Sequence, residues 1–494
     1  MNDHDERLRR NLREALPIPT GFPRAALADR IMGGVAAHPR RLVGWWPRKR
    51  TWVPALAAIL AFLTVAGETL VQRAQYAGRV DFVASTTASG TVEFVSSQAQ
   101  PADEYRAMTD KVLAGFNGNP DFNSQPTAAQ DITRIGYEQS AGKSTVDLVA
   151  LTSSDLADLQ ASGALEDLTP LLRRLQRSRQ FPQPLLDDAR LGTRGTYYIP
   201  WLQATYLMVV NRQALMYLPP GADVEHLTYD ELIAWGQRMQ AATGAKRIGL
   251  PADVSHGARG GLVYRFLQGY AYPSFTGSTL TGFRSPEAVQ MWETMRRLWS
   301  VTNDHSVTYD SMDDPLATGE VWVAWDHQAR LGKALRDPQH FIAVPAPSGP
   351  KGLGYLSAVV GLAIPKHAPN SQGAEALIDW LTQPKQQSAA AFTLNFSPVV
   401  QGVPLTAPGA AESAVASRYQ TGRGSLETLL PELGSQADAF TTVYQDTFTR
   451  IVLRDQDIDA VLNDEAPQLQ RIVDLAKAPC WRPDPPSRGP CQIR

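Results

Sequence analysis

A chain of 494 residues with 43% hydrophobic and 19% charged residues can bury a large core and has room for more than one compact unit, which excludes an intrinsically disordered chain. A formal net charge of -2 carries no concentrated basic surface of the kind polyanion binders show, so nucleic acid is not an expected partner.

Residues 1–50 hold an amphipathic stretch marked by Leu8, Leu12 and Leu16, then Pro17 and Pro19, then a second candidate helix around Ala25 to Met32. Trp52 to Val71 comes next as an apolar run of about 20 residues, enough as a helix to span a bilayer core. Its one charge, Glu68, falls near the far end, where water is within reach. Arg40, Arg41, Arg48, Lys49 and Arg50 precede the run and only Arg73 and Arg79 lie closely beyond it, so the positive-inside rule places residues 1–50 in the cytoplasm and everything after about residue 72 outside. Thr64-Val65-Ala66 could instead serve as a signal-peptide cleavage site. A signal peptide has only a brief charged leader, however, so the long head favours an uncleaved, single-pass anchor over residues 51–71. No cysteine lies just after the run, which excludes a lipoprotein anchor there.

After a linker over residues 72–90, short apolar runs alternate with helical patterns, the signature of an α/β fold. Strands are predicted at Val92 to Ser96, Ile132 to Tyr137, Val146 to Leu151, Tyr206 to Asn211, Arg247 to Leu250, Val321 to Trp325, Phe341 to Val344 and Ala358 to Ile364. One helix should begin at Thr228, which caps, with Glu231 returning the bond and Leu227 and Leu232 as a hydrophobic staple. Another should begin at Ser285-Pro286-Glu287, with Val289, Trp292, Met295, Leu298 and Trp299 on a core-facing stripe.

Gly136 to Thr145 ends in Gly-Lys-Ser after a candidate strand but has five residues between its glycines where a phosphate-binding loop needs four, and the residues after it read as a strand rather than a helix. Nucleotide binding is therefore not expected. The eight histidines show no metal-ligand spacing, and Asp310, Asp313 and Asp314 before Pro315 fit a helix N-terminus better than a calcium loop. No nucleophile motif supports catalysis; no cofactor or metal is expected, and the chain does not read as an enzyme. Cys480 and Cys491, the only cysteines, flank a Pro-rich stretch in the tail, residues 476–494. They read as a local disulfide formed in an oxidising compartment, with two free surface thiols as the other reading.

From about residue 91 to about 475 the ordered segments resemble the carbohydrate-type extracellular solute-binding proteins of bacterial ABC importers, the maltose-binding-protein-like group. The likeness is carried by the opening strand Thr91 to Ser97, by Ala141 to Leu151 with Ser154 to Leu168 after it, and by the crossing segment Tyr197 to Arg212. Gly319 to Asp326, Tyr355 to Pro365 and Ala374 to Pro384 continue it in order. The departures are Thr145 where proline is usual, Val146 inserted before the aspartate, Val210 in place of a tyrosine, and Ala204 where an acidic residue is often found.

The resemblance implies a two-lobed periplasmic-binding-protein-like (type II) α/β fold, here preceded by one transmembrane helix. Lobe I would hold about 91–200 and 345–397, and lobe II about 206–342 and 400–475. It implies a small solute, expected to be a saccharide, held by closure of the lobes, with ABC permease subunits as partners. The motifs place ligand contacts at Ser97 and Gln98, at Ser153 and Ser154, and at Trp201, Gln203 and Thr205 in the crossing. In lobe II and on the return they fall at Trp325 and Asp326, then Tyr355 and Ser357. Each could instead be a packed or solvated loop residue. A rival reading is a transmembrane solute sensor whose residues 1–50 bind a regulator; a pull-down with that segment separates the two.

Overall fold

Short strands alternate with helices along the chain after residue 90, and the strand pairing builds two lobes. The computed structural model describes residues 90–494 apart from 97–98, 100–101, 126–127, 254–262, 405–423 and 430–432. The expected anchor and the segment ahead of it therefore lie outside the described residues, as do Ser97 and Gln98. No described helix is long and apolar enough to cross a membrane.

In chain order the first strands are β1 (Thr91–Ser96), β2 (Asn119–Asn123), β3 (Leu148–Thr152), β4 (Ile199–Ala204), β5 (Tyr206–Asn211) and β6 (Ile248–Gly249). The later ones are β7 (Val323–His327), β8 (Phe341–Val344), β9 (Gly354–Leu356), β10 (Ala358–Ala363), β11 (Ser397–Pro398) and β12 (Leu426–Thr428). A six-stranded sheet in the order β11-β4-β10-β3-β1-β2 builds the first lobe, and a four-stranded sheet in the order β6-β7-β5-β8 builds the second. β1 runs parallel to β2 and β3, while β10 runs antiparallel to β3 and β4. β9 and β12 pair separately, in parallel.

Each lobe has its own core. Phe94, Leu148, Trp201 and Leu362 are among the buried residues of the first, and Trp235, Tyr270, Trp292 and Trp325 among those of the second. The predicted caps are present: Thr228 and Glu231 form a reciprocal capping box on the Tyr229–Thr243 helix, and Ser285 accepts from Ala288 N at the start of the Pro286–Ser300 helix. On that helix Trp292, Met295 and Leu298 are buried and Val289 and Trp299 pack at the edge of the second core.

Three differences from the expected elements have physical causes. Ile132 to Tyr137, predicted as a strand, lies inside the Ala128–Ser140 helix, where Ile132 and Ile135 turn toward the first core at helical spacing. Val146 precedes β3 rather than opening it, because the Asp147 carboxylate takes Glu93 N and Asn370 N and so ends the ladder. The return to the first lobe comes at Ser357, not near residue 345, because Ala346, Tyr355 and Leu356 are buried in the second core.

The tail folds onto the second lobe. Cys480 and Cys491 are joined in a disulfide, and Asp484 accepts from Thr279, Leu280 and Thr281 backbone N–H groups at 2.6, 3.1 and 2.6 Å.

Candidate functional site

Thr205 alone separates β4 of one sheet from β5 of the other, so the chain changes lobe across a single residue. Tyr270 holds this crossing: its hydroxyl accepts from Tyr206 N at 2.9 Å, donates to Tyr206 O at 3.1 Å and lies 3.1 Å from Thr205 Oγ1. Gln328 Nε2 reaches from the second lobe to Asn395 O of the first at 2.6 Å, and Ser357 N donates to Thr428 O at the return crossing at 3.1 Å.

Between the lobes lies a cavity of about 590 Å³, within the range typical of small-molecule sites. Its first-lobe wall is the end of β3 and the helix directly after it, Ser153–Ala161. Thr152 caps that helix, and its hydroxyl donates to Asp155 Oδ2 at 2.7 Å. Three residues apart on a helix, Asp155 and Asp158 share one face and both line the cavity, with Ser154 beside them. Strand ends of an α/β sheet are where such crevices form.

The second-lobe wall comes from two elements. Tyr264, Arg265 and Gln268 line it from one helical segment, and Gly434, Ser435, Phe440 and Thr441 from the start of the helix that runs on to Phe448. The Arg265 guanidinium lies over the Tyr264 ring at 4.7 Å. Burial opposes its charge, but Tyr264, Tyr206 and Asp155 together hold its pKa above the ordinary value. Burial raises the Asp155 pKa, partly offset by the Thr152 hydrogen bonds and by Arg265. Burial, aided by the neighbouring Asp155 charge, pushes Asp158 up to about 6, although the nearby Gly434 backbone N–H on the opposite wall favours the charged form.

A second chamber of about 300 Å³ adjoins the first at Ser154 and is lined by Ser153, Asp187, Asp188, Ser357 and Leu429. Arg482 of the tail pairs with Asp188 at 3.2 Å and with Glu427 at 2.7 Å, so a second-lobe segment grips the first lobe at this chamber.

Residues 98–388 match the family of bacterial extracellular solute-binding proteins. The chain belongs to that family.

Solved relatives of this solute-binding protein share its architecture at low identity. Maltose-bound T. maritima MalE3 superposes with a TM-score of 0.62 at 18% identity, covering 78% of this chain and 100% of that one. The sugar-binding protein MalE from Xanthomonas citri gives 0.60 at 18% identity, covering 77% and 97%. UgpB from Mycobacterium tuberculosis in complex with glycerophosphocholine gives 0.58 at 19% identity, covering 78% and 99%. No curated protein matches the sequence.

Of the residues expected at the solute-binding cleft, Ser153, Ser154 and Ser357 line the two chambers. Trp201 is 0% exposed inside the first core, 6.3 Å from the Phe94 ring, with its carbonyl accepting from Gln387 Nε2. Trp325 stacks on Tyr206 at 4.9 Å within the second core, and the side chain of Asp326 is buried accepting from Met312 N and His327 N. Neither tryptophan lies on the walls of these chambers. Nor do Gln203, whose strand position sits between Val359 and Ser397, and Thr205, which is enclosed in the crossing. Tyr355 and Ser357 lie near the Glu427 carboxylate, whose charged form they favour.

Asp155, Asp158, Tyr264, Arg265 and Gln268 went unanticipated. Thr152 with Asp155 three residues later, directly after a buried strand, is a readable helix start and could have pointed to the two carboxylates. Nothing comparable marks Arg265 or Gln268, which sit in a run of mostly buried residues.

Proposed function

We propose that this solute-binding protein is tethered by residues 52–71 on the outer face of the cell membrane and passes a carbohydrate from its interlobar cleft to the permease of an ABC importer. The observation that carries the carbohydrate reading is the composition of the cavity wall. Asp155 and Asp158 offer carboxylate acceptors, Ser154 and Thr441 offer hydroxyls, and Tyr264 and Phe440 offer aromatic surface. A sugar presents hydroxyl edges and C–H faces that such a wall complements. MalE3 is maltose-bound and MalE of Xanthomonas citri is a sugar-binding protein, which supports the same solute class.

The test is thermal unfolding of the purified full-length protein with a panel that includes maltose, cellobiose, trehalose and glycerophosphocholine. A solute bound only by the native state at a hundred times its Kd adds about 2.7 kcal/mol of stability, so at least one saccharide should raise the Tm measurably. A broad sugar panel without any rise would overturn the carbohydrate reading.

A further inference from the structure

We infer that Gln268 selects the solute by reading two adjacent hydroxyls at once; this rests on the carbohydrate reading of the cleft. The segment that carries it changes helical type along its length, from α over Val263–Phe266 to a π-turn over Leu267–Ala271 and back to α over Tyr272–Thr276. Such π-turns are rare and concentrate at functional sites, because they re-aim side chains that a regular helix would point elsewhere.

Contacts on either side hold this turn in place. At Gly269 an added Cβ would come 2.7 Å from Leu356 Cβ, so the turn lies directly on the return-crossing strand β9. At Tyr270 the hydroxyl grips Thr205 and Tyr206 at the first crossing. Gln268, just before both anchors, is 0% exposed and lines the cavity, yet neither its Nε2 nor its Oε1 has a hydrogen-bond partner. Burying both ends of an amide unpartnered is costly, and native interiors avoid it unless a ligand or water completes the group.

The missing complement is defined by chemistry. Nε2–H requires an acceptor and Oε1 a donor, side by side. A carboxylate serves only the first and an ammonium only the second. A vicinal diol serves both, one hydroxyl accepting from Nε2 while its neighbour donates to Oε1. Asp155 and Asp158, which line the same cavity, can accept hydrogen bonds from further hydroxyls. A site built to hydrogen-bond a hydroxyl rejects the analogue that lacks it far more strongly than an apolar pocket can.

The experiment pairs thermal melts with isothermal titration calorimetry on the full-length protein and its Gln268→Leu variant, using maltose, cellobiose, trehalose and glycerophosphocholine as probes. Leucine keeps the bulk and removes both polar atoms. The expected result is an affinity loss of about tenfold to a hundredfold for the probe that binds best. The unliganded Tm should be equal or higher, because an unsatisfied buried amide is gone. Unchanged affinity would overturn the role of Gln268 while leaving a carbohydrate ligand standing. An unliganded variant that melts well below wild type, or does not fold, would equally overturn it by showing that the amide serves the fold. If wild type binds none of the three sugars, the carbohydrate reading fails first and the diol assignment fails with it, whether or not glycerophosphocholine binds.

Discussion

Asp158 stands where two opposing effects meet, and pH separates them. The nearby Gly434 backbone N–H favours its carboxylate form, but burial and Asp155 raise its pKa to about 6, above the value near 3.9 of an unfolded aspartate. Between about pH 4 and 6 the native chain therefore holds a proton that the unfolded chain has released, and stability falls as pH rises through that window. Asp155 is shifted in the same direction, while Arg265, facing it, limits the effect. Asp158→Asn keeps the shape of the side chain and removes the charge. It should raise Tm at pH 7.5 by an amount worth about 1 kcal/mol after allowance for solvent screening, with no gain at pH 4.5; parallel pH profiles of Tm for the two proteins would count against it. At this scale the sequence was least legible. Trp201 and Trp325 were natural candidates for a sugar-binding wall, but β4 is buried on both faces, so alternation along it carries no inside-or-outside signal. The serines after β3 were readable because a strand end leading into a helix cap has only one side open to the cleft.

Most elements were legible because their signals are local. Thr228, Glu231 and Ser285 specify helix starts through bonds to backbone atoms three residues away, and the structure contains those bonds. β2 was not legible: Asn119 to Asn123 has a proline and no β-branched residue, and it survives as an edge strand paired only with β1. β4 hid behind Pro200, which is accommodated beside the register shift at Val360 and Gly361. The π-turn at Leu267–Ala271 has no local signature at all, because it depends on the crossings it packs against. That dependence leads to a measurement. Tyr270→Phe removes the hydroxyl that touches Thr205 and Tyr206, at a cost of about 1–3 kcal/mol for buried hydrogen bonds. Calorimetry should show a Tm lower by a few degrees, and an unchanged Tm would mean that the crossing is held by Gln328 and the strand ladders alone.

Across the whole molecule the tail has two separable attachments, one to its own lobe and one between lobes. Asp484 gathers the backbone N–H groups and hydroxyls around Thr279 to Thr281 and is buried in doing so, which fixes the tail on the second lobe. Arg482, two residues earlier, extends to Asp188 of the first lobe and to Glu427 beside the return crossing, with 53% of its side chain exposed. The first attachment is enclosed and the second is screened by water, so substitutions at the two should behave differently. Asp484→Ala leaves a cluster of buried donors without their acceptor and should lower Tm by an amount worth about 2–4 kcal/mol. Arg482→Ala should cost about 1 kcal/mol or less and leave Tm almost unchanged, but that loss falls on the contact between lobes. Its signature should be a larger radius of gyration of the unliganded protein in small-angle scattering and a solute affinity reduced by no more than about fivefold. Added salt should produce the same expansion in the wild type and little in the variant, since the pair it screens is already absent. Equal radii for wild type and Arg482→Ala at low salt would show that Gln328 with Asn395 and Glu104 with Arg330 bridge the lobes without help from the tail.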